Sequence, residues 1–325
     1  MEEVGVPELS LRGKVAAGFG ARRGIFSWEA ANRRNHDVLK RIGGPCLRQW
    51  GMPLSQAQKA QIFLEMHQGA GILVLPNAWD AASARIIEST GFGALATSSA
   101  GVANALGYPD GEKIGRAEML EAVRRIAGAV SVPVTADLEA GYGAIEETAR
   151  GAIAAGAVGL NIEDSDHRSL AEIRSQSDKI RAIRKVAREA GIPLVINARI
   201  DTYLLNFGDA RERFEETVSR AAAYREAGAD CLYPIGLRDG QVIGELTRAI
   251  PAPVNVMAGP GSPTIPELER LGVRRVTFGS GPMRAAMALL RRICVELKSG
   301  GTYAALEESA HLPHAEMNRL LDRSE

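Results

Sequence analysis

The sequence lacks most of the features that assign a function quickly. Its three cysteines, Cys46, Cys231 and Cys294, lie far apart in 325 residues, with no Cys-x-x-Cys pair. An odd count at such spacing speaks against a disulfide framework or a zinc ribbon and makes a reducing, cytoplasmic compartment the default. Charge of either sign is not in excess, since Lys+Arg and Asp+Glu number 39 each. A neutral chain without blocks of like charge carries no electrostatic footprint for nucleic acid. No apolar run approaches the roughly 18 residues of a membrane span. A secretory h-region is missing as well. The first 51 residues are Arg-rich, but Glu2, Glu3 and Glu8 argue against a transit peptide.

The chain is 46% hydrophobic, enough for a sizeable core in one large domain or two ordinary ones. Residues 1–51 lack sustained periodicity and read as a poorly ordered extension. Met52, followed by the helical "LSQAQKAQIFLEMHQ", reads as the natural beginning of the folded part, which runs over 52–325. From residue 70 onward one unit recurs: a short β-branched run, a loop, an amphipathic helix, then a glycine. The runs are "GILVLP" (71–76), "ALATS" (94–98), "VPVTAD" (132–137), "VGLNIE" (158–163), "PLVINA" (193–198), "DCLYPI" (230–235), "PVNVM" (253–257) and "RRVTFG" (274–279). Helical patterns fill the intervals, and Gly91, Gly156, Gly191, Gly228 and Gly272 stand where helices should end in a left-handed residue. Eight strand–helix units over roughly 230 residues fit a closed (β/α)₈ barrel of the TIM type. A doubly wound open sheet is the alternative. It would show a Gly-rich phosphate fingerprint after strand one, where "LPNAWDAASA" stands instead.

In a barrel of this kind, polar residues at the C-terminal ends of the strands form the active face. Strand three ends in Asp137, with Glu139 two residues on, so both carboxylates point the same way if the segment stays extended. Strand two ends in Thr97, Ser98 and Ser99, strand four in Glu163 and Asp164, and strand five in "NARID", with Asn197, Arg199 and Asp201. Asp110 lies in the "YPDG" turn, Asn255 on strand seven, and Arg284 at the start of the last helix. Acids that converge on one mouth repel unless a cation sits between them. All-oxygen ligation without His or Cys suits Mg²⁺ or Mn²⁺ rather than zinc. Taken singly, each residue has a plainer role: a strand-end Asp as a helix cap, Asp110 as a turn former, and Arg199 as an ion-pair partner of Asp201. His167, His311 and His314 read as surface residues, Cys231 as core, and "AGPGSP" (258–263) as a turn.

The stretches "SSAGVANALGYPD", "ADLEAGYG", "GLNIED", "NARIDTY" and "GPMRAAM" together resemble the isocitrate lyase/phosphoenolpyruvate mutase superfamily, over about Leu73 to Leu297. The resemblance implies a (β/α)₈ barrel whose eighth helix is exchanged between the subunits of a homodimer or homotetramer. It implies Mg²⁺ held directly by Asp137, with Glu139, Glu163 and Asp110 as further acids of the metal site. Glu163 and Arg199 would be catalytic. Ser98, Ser99 and Ala100 would hold the substrate carboxylate, where the family more often shows Ser-Gly, and Asn255 would lie near the substrate. The implied chemistry is cleavage of a small 2-oxo or 2-hydroxy acid through a metal-stabilised enolate, with Arg199 neutralising developing charge. The loop after strand four departs from the family. It reads "DSDHRSLAEIRSQ", without the Lys-x-Cys-Gly-His of isocitrate and methylisocitrate lyases and without the Lys and Asn of the mutase and phosphonopyruvate hydrolase branch. Decarboxylation of an oxaloacetate-like acid needs the least machinery and comes first. Carbon–phosphorus cleavage and a non-catalytic binding barrel remain the alternatives.

Overall fold

The computed structural model describes residues 54–322 except 70, 166–167 and 310–311. The extension expected over residues 1–51, and the expected surface positions of His167 and His311, lie outside these residues. The chain opens with helix α1 (Gln56–Gln68), started by a capping box in which Ser55 and Gln58 bond reciprocally. Its apolar face carries Ala60, Ile62, Phe63 and Met66. These pack against Leu73, Ala94, Val158 and Val195, all at the beginnings of strands, so α1 closes the N-terminal mouth of the barrel.

All strands pair in parallel. Strand β1 (Leu73–Leu75) and β2 (Asn77–Ala78) are one strand interrupted at Pro76, which has no N–H to give the ladder. β2 pairs with β3 (Leu95–Thr97), followed in order by β4 (Val134–Asp137), β5 (Gly159–Glu163), β6 (Val195–Ile200) and β7 (Cys231–Pro234). A parallel bridge from Leu232 to Val254 leads on toward β8 (Asn255–Met257). β8 pairs with β9 (Arg275–Thr277), and β9 returns to β1 through Leu73–Arg275, Val74–Val276 and Leu75–Thr277. This closes an eight-stranded barrel, as the eight repeated units lead one to expect.

The outer helices are α2 (Ala81–Ser89), α4 (Arg116–Ala129), α5 (Ile145–Ala154), α6 (Ile173–Glu189), α7 (Ala210–Ala227), α8 (Gly240–Ala249), α9 (Ile265–Arg270) and α10 (Gly281–Gly300), with α3 (Ser99–Ala105) inserted after β3. Helices α11 (Ala304–Glu307) and α12 (His314–Leu321) end the described chain, and Arg85 Nε on α2 donates to the Leu320 carbonyl of α12. The five glycines expected at helix ends all have positive φ, from 65° at Gly191 to 113° at Gly228. Helix α10 differs from the others. Met283, Met287, Leu290, Cys294 and Leu297 recur at alternating spacings of four and three, the pattern of a packed seam. Only Met283 is buried, while Met287, Leu290 and Leu297 are each about half exposed.

Candidate active site

Strand β4 delivers Asp137 to a cavity of about 340 Å³ at the C-terminal ends of the strands, walled also by Asn77, Ser98, Asp110, Asn161 and Arg199. Ser99 turns both of its donors on Asp137: its backbone N–H lies 2.9 Å from Oδ2 and its hydroxyl 2.8 Å from the same atom. Asn161 Nδ2 reaches Oδ1 at 3.3 Å, and the Asp137 N–H donates to Thr97 Oγ1 at 2.9 Å. Ser98 caps α3 by accepting from Gly101 N–H, which leaves its own proton available for a ligand. The helix behind that cap had no counterpart in the expected pattern, because the strand ends directly in its N-cap.

Glu139 departs from the side-by-side geometry expected of it. The strand ends at Asp137, and Glu139 takes the left-handed conformation, with φ 49°, so the two-residue alternation no longer applies. Its carboxylate accepts from the Tyr142 hydroxyl at 2.8 Å and the Glu112 N–H at 2.5 Å, away from the cavity wall. Burial raises its pKa, with Asp137 and Asp110 adding to the rise.

Glu163, also expected among the metal-site acids, forms an ion pair with Arg199. Burial pushes its carboxyl up to about 9 against the opposing pull of Arg199. Arg199 Nε and Nη2 grip Asp201 at 2.6 and 2.9 Å, so the pairing of Arg199 with Asp201 is real and bidentate. Burial works against the Arg199 charge, but Glu163 and Asp201 outweigh it and hold its pKa above the ordinary value. Ser165 donates to Asp201 as well, and the Asp201 N–H donates to Asp164, which is itself held by Arg220 at 2.9 Å and Tyr224 at 2.7 Å. Arg199 is therefore fixed on two sides where it lines the cavity.

Four acids were expected to converge. The structure divides them: Asp137 and Asp110 stand on the cavity wall, while Glu139 and Glu163 are buried behind it against their neighbours. Among the described residues no group of three or more His, Cys, Asp or Glu side chains forms a ready-made metal cage. The donor set still fits a hard ion that keeps several waters, since Mg²⁺ is usually held through one or two carboxylates plus substrate oxygens. Asp137 would hold it, with Asp110 a second acid on the same wall. Asn255 lies fully buried inside the barrel, bonded to Thr277 Oγ1, and is not on the wall. Arg284 is exposed at the start of α10, and His314 is exposed on α12. Cys231 is buried in β7, and burial pushes its thiol up to about 12.

Several wall residues escaped the sequence reading: Asn77, Asn161, Tyr233 and Thr277. A signal for them existed. Each is a polar or amphipathic residue at an inward position of an otherwise apolar strand, where a purely structural barrel would carry Val, Ile or Leu. A larger cavity of about 860 Å³ lies between the loops after β5 and β6; its lining mixes arginines such as Arg168 and Arg181 with Glu172, Glu216 and apolar residues, and it holds none of the strand-end acids.

Comparison with known proteins agrees with this architecture. Residues 63–298 match the family model described as phosphoenolpyruvate phosphomutase. The chain belongs to the isocitrate lyase/phosphoenolpyruvate mutase superfamily. It is 36% identical over 226 residues to an uncharacterized protein of Mycobacterium tuberculosis H37Rv, a match covering 69% of this chain and 84% of that one. It is 30% identical to an oxaloacetate decarboxylase of Rhodopseudomonas palustris BisB5, covering 75% of this chain and 84% of the relative. A 2-methylisocitrate lyase of Halalkalibacterium halodurans is 28% identical, with 78% and 86% covered. Among solved structures, a Burkholderia cenocepacia J2315 protein provisionally called a lyase/mutase superposes with TM-score 0.76 at 38% identity, covering 81% of this chain and 96% of that one. The superfamily member described here is thus an enzyme of a group that acts on C–C or P–C bonds.

Proposed function

We propose that the protein is a Mg²⁺-dependent lyase that cleaves a C–C bond of a small 2-oxo or 2-hydroxy acid, with decarboxylation of an oxaloacetate-like substrate first. The observation that carries this reading is one small cavity whose wall holds both the Asp137 carboxylate and a locked Arg199. At about 340 Å³ the cavity suits a compact acid. Bound at Asp137, Mg²⁺ would polarise the keto and carboxylate oxygens of the substrate. The Ser98 hydroxyl and Ala100, both on the cavity wall, would orient the substrate carboxylate, since the Ser99 and Gly101 N–H groups are already bonded to Asp137 and Ser98. Arg199 is held ready where negative charge grows on the substrate oxygen, so no reorganisation is needed at that moment.

The lack of a proton-delivering thiol favours decarboxylation. The loop after β5 carries no Cys, and the Cys231 thiol stays protonated and buried. Loss of CO₂ needs no acid, because water can protonate the carbon left behind. A relative named oxaloacetate decarboxylase supports the same choice. The second reading, P–C cleavage, is favoured by the description of the matching family model.

Purified protein should release pyruvate from oxaloacetate with Mg²⁺ and stop with EDTA. Release of phosphate from phosphonopyruvate would move the assignment to P–C chemistry. Oxalate binding by calorimetry with no turnover of any acid would leave a binding barrel. The apolar stripe of α10 supports assembly with a second copy of this chain as a homodimer or homotetramer. The two described thiols, Cys231 and Cys294, are unpaired, as suits a reducing, cytoplasmic setting.

A further inference from the structure

Arg275 is the largest fully buried side chain among the described residues, and it sits on β9 inside the barrel. Its Nη1 faces His67 Nε2 at 3.3 Å, and its Nη2 donates to Asn161 Oδ1 at 3.2 Å. Among the described residues no carboxylate bonds it directly, its Nε has no hydrogen-bond partner, and Asp137 is the acid whose charge acts on it from a distance. His67 supplies no counter-charge: with Nδ1 facing the Phe63 carbonyl at 2.8 Å its Nε2 is left to accept, and burial with the Arg275 charge keeps the ring uncharged. A buried guanidinium without a counter-ion is costly to a fold, and a methionine would fill the same space without that cost. Its contacts show where its charge is directed. Asn161 Oδ1 also accepts from Asn197 Nδ2 at 2.7 Å, so the amide oxygen is held by two donors and cannot flip. The opposite end of that amide, Nδ2, therefore points at Asp137 Oδ1.

We propose that Arg275 is a positioning residue: acting through Asn161, it fixes the orientation of the Asp137 carboxylate in the cavity. Ser99 holds one oxygen of that carboxylate from the loop side, and Asn161 holds the other from inside the barrel. Without Arg275 the Asn161 amide loses one of the two donors that set its orientation, and Asp137 keeps only the Ser99 side of its clamp. The inference rests on the functional reading above for its catalytic consequence, but not for its structural one.

The test uses Arg275→Met, Arg275→Lys and Asn161→Ala in the full chain, with three measurements. Hydrogen–deuterium exchange of the segment holding the Ser99 N–H reports the Asp137 clamp directly. It should speed up about tenfold in Arg275→Met and Asn161→Ala and be partly restored in Arg275→Lys. Titration with Mg²⁺ alone should show affinity about tenfold weaker in the first two variants. Turnover of oxaloacetate should fall in kcat about tenfold, with KM changing less. The double variant should lose no more than either single one, since both act on one carboxylate. Melting temperature is followed in parallel, and Arg275→Met should melt no lower than the wild type. Unchanged exchange at Ser99 in Arg275→Met and Asn161→Ala would overturn the proposal. If Arg275→Met does not fold, Arg275→Lys decides it beside Asn161→Ala, and exchange at Ser99 that speeds up in Asn161→Ala but stays at the wild-type rate in Arg275→Lys overturns the proposal. A wild type that neither binds Mg²⁺ nor turns over any acid would sink the functional reading, while the exchange measurement would still judge this one.

Discussion

Asp137 is the residue on which the site depends, and replacing it separates chemistry from stability. Asp137→Ala should lower kcat at least about 100-fold, the scale of a lost electrostatic stabiliser. It should cost only about 1 kcal/mol of folding stability for the lost Ser99 bonds, checked by steady-state kinetics and urea unfolding. His67 supplies a second residue-scale prediction. Its pKa falls from the ordinary 6.5 to about 3, first because of burial and then because of Arg275. The folded state thus binds fewer protons than the unfolded chain between those values. Stability is full above pH 6.5 and declines as pH falls toward 3, by up to about 1.4 kcal/mol per pH unit. Urea unfolding at pH 4.5 and 7.0 measures it, and His67→Gln should flatten the difference. At this scale the sequence showed the strand-end residues because their positions follow from the barrel. It did not show how they pair, because the ion pair of Glu163 with Arg199 joins side chains from different strands and no local spacing encodes it.

At the scale of elements, periodicity was the better guide. Apolar runs bounded by glycines placed every strand of the barrel, because parallel strands buried on both faces have no other composition open to them. Two details lay beyond it. The break at Pro76 requires knowing that the strand continues to Ala78, and helix α3 starts where a strand has just ended. Helix α1 was legible as a helix but not as a plug, since its task depends on packing. Phe63 is fully buried, and Gly159 makes room for it, because a Cβ there would stand 2.9 Å from Phe63 Cε1. Phe63→Ala should therefore cost about 3–5 kcal/mol, and Gly159→Ala should also destabilise through the same contact. Thermal unfolding of both variants checks the pair. Little change in either would mean that α1 is loosely docked.

At the scale of the whole molecule, the half-exposed apolar stripe of α10 sets the expectation for assembly. Light scattering should give a dimer or tetramer, and Met287→Asp with Leu290→Asp should shift it toward the monomer without lowering helix content by circular dichroism. A monomeric wild type at micromolar concentration would remove a second copy as the partner of that stripe. The barrel also has a seam of its own. Where Pro76 interrupts the ladder, the Asn77 side chain bridges the gap, donating to the Thr97 carbonyl at 2.8 Å and accepting from the Phe278 N–H at 2.7 Å. That same amide forms part of the cavity wall. Closing the cylinder and lining the pocket are therefore one task shared by a single side chain. Whatever molecule settles against Asn77 should tighten the cylinder as a whole, and a chain with Asp at that position should come apart at lower temperature and hold its ligand less well in equal measure.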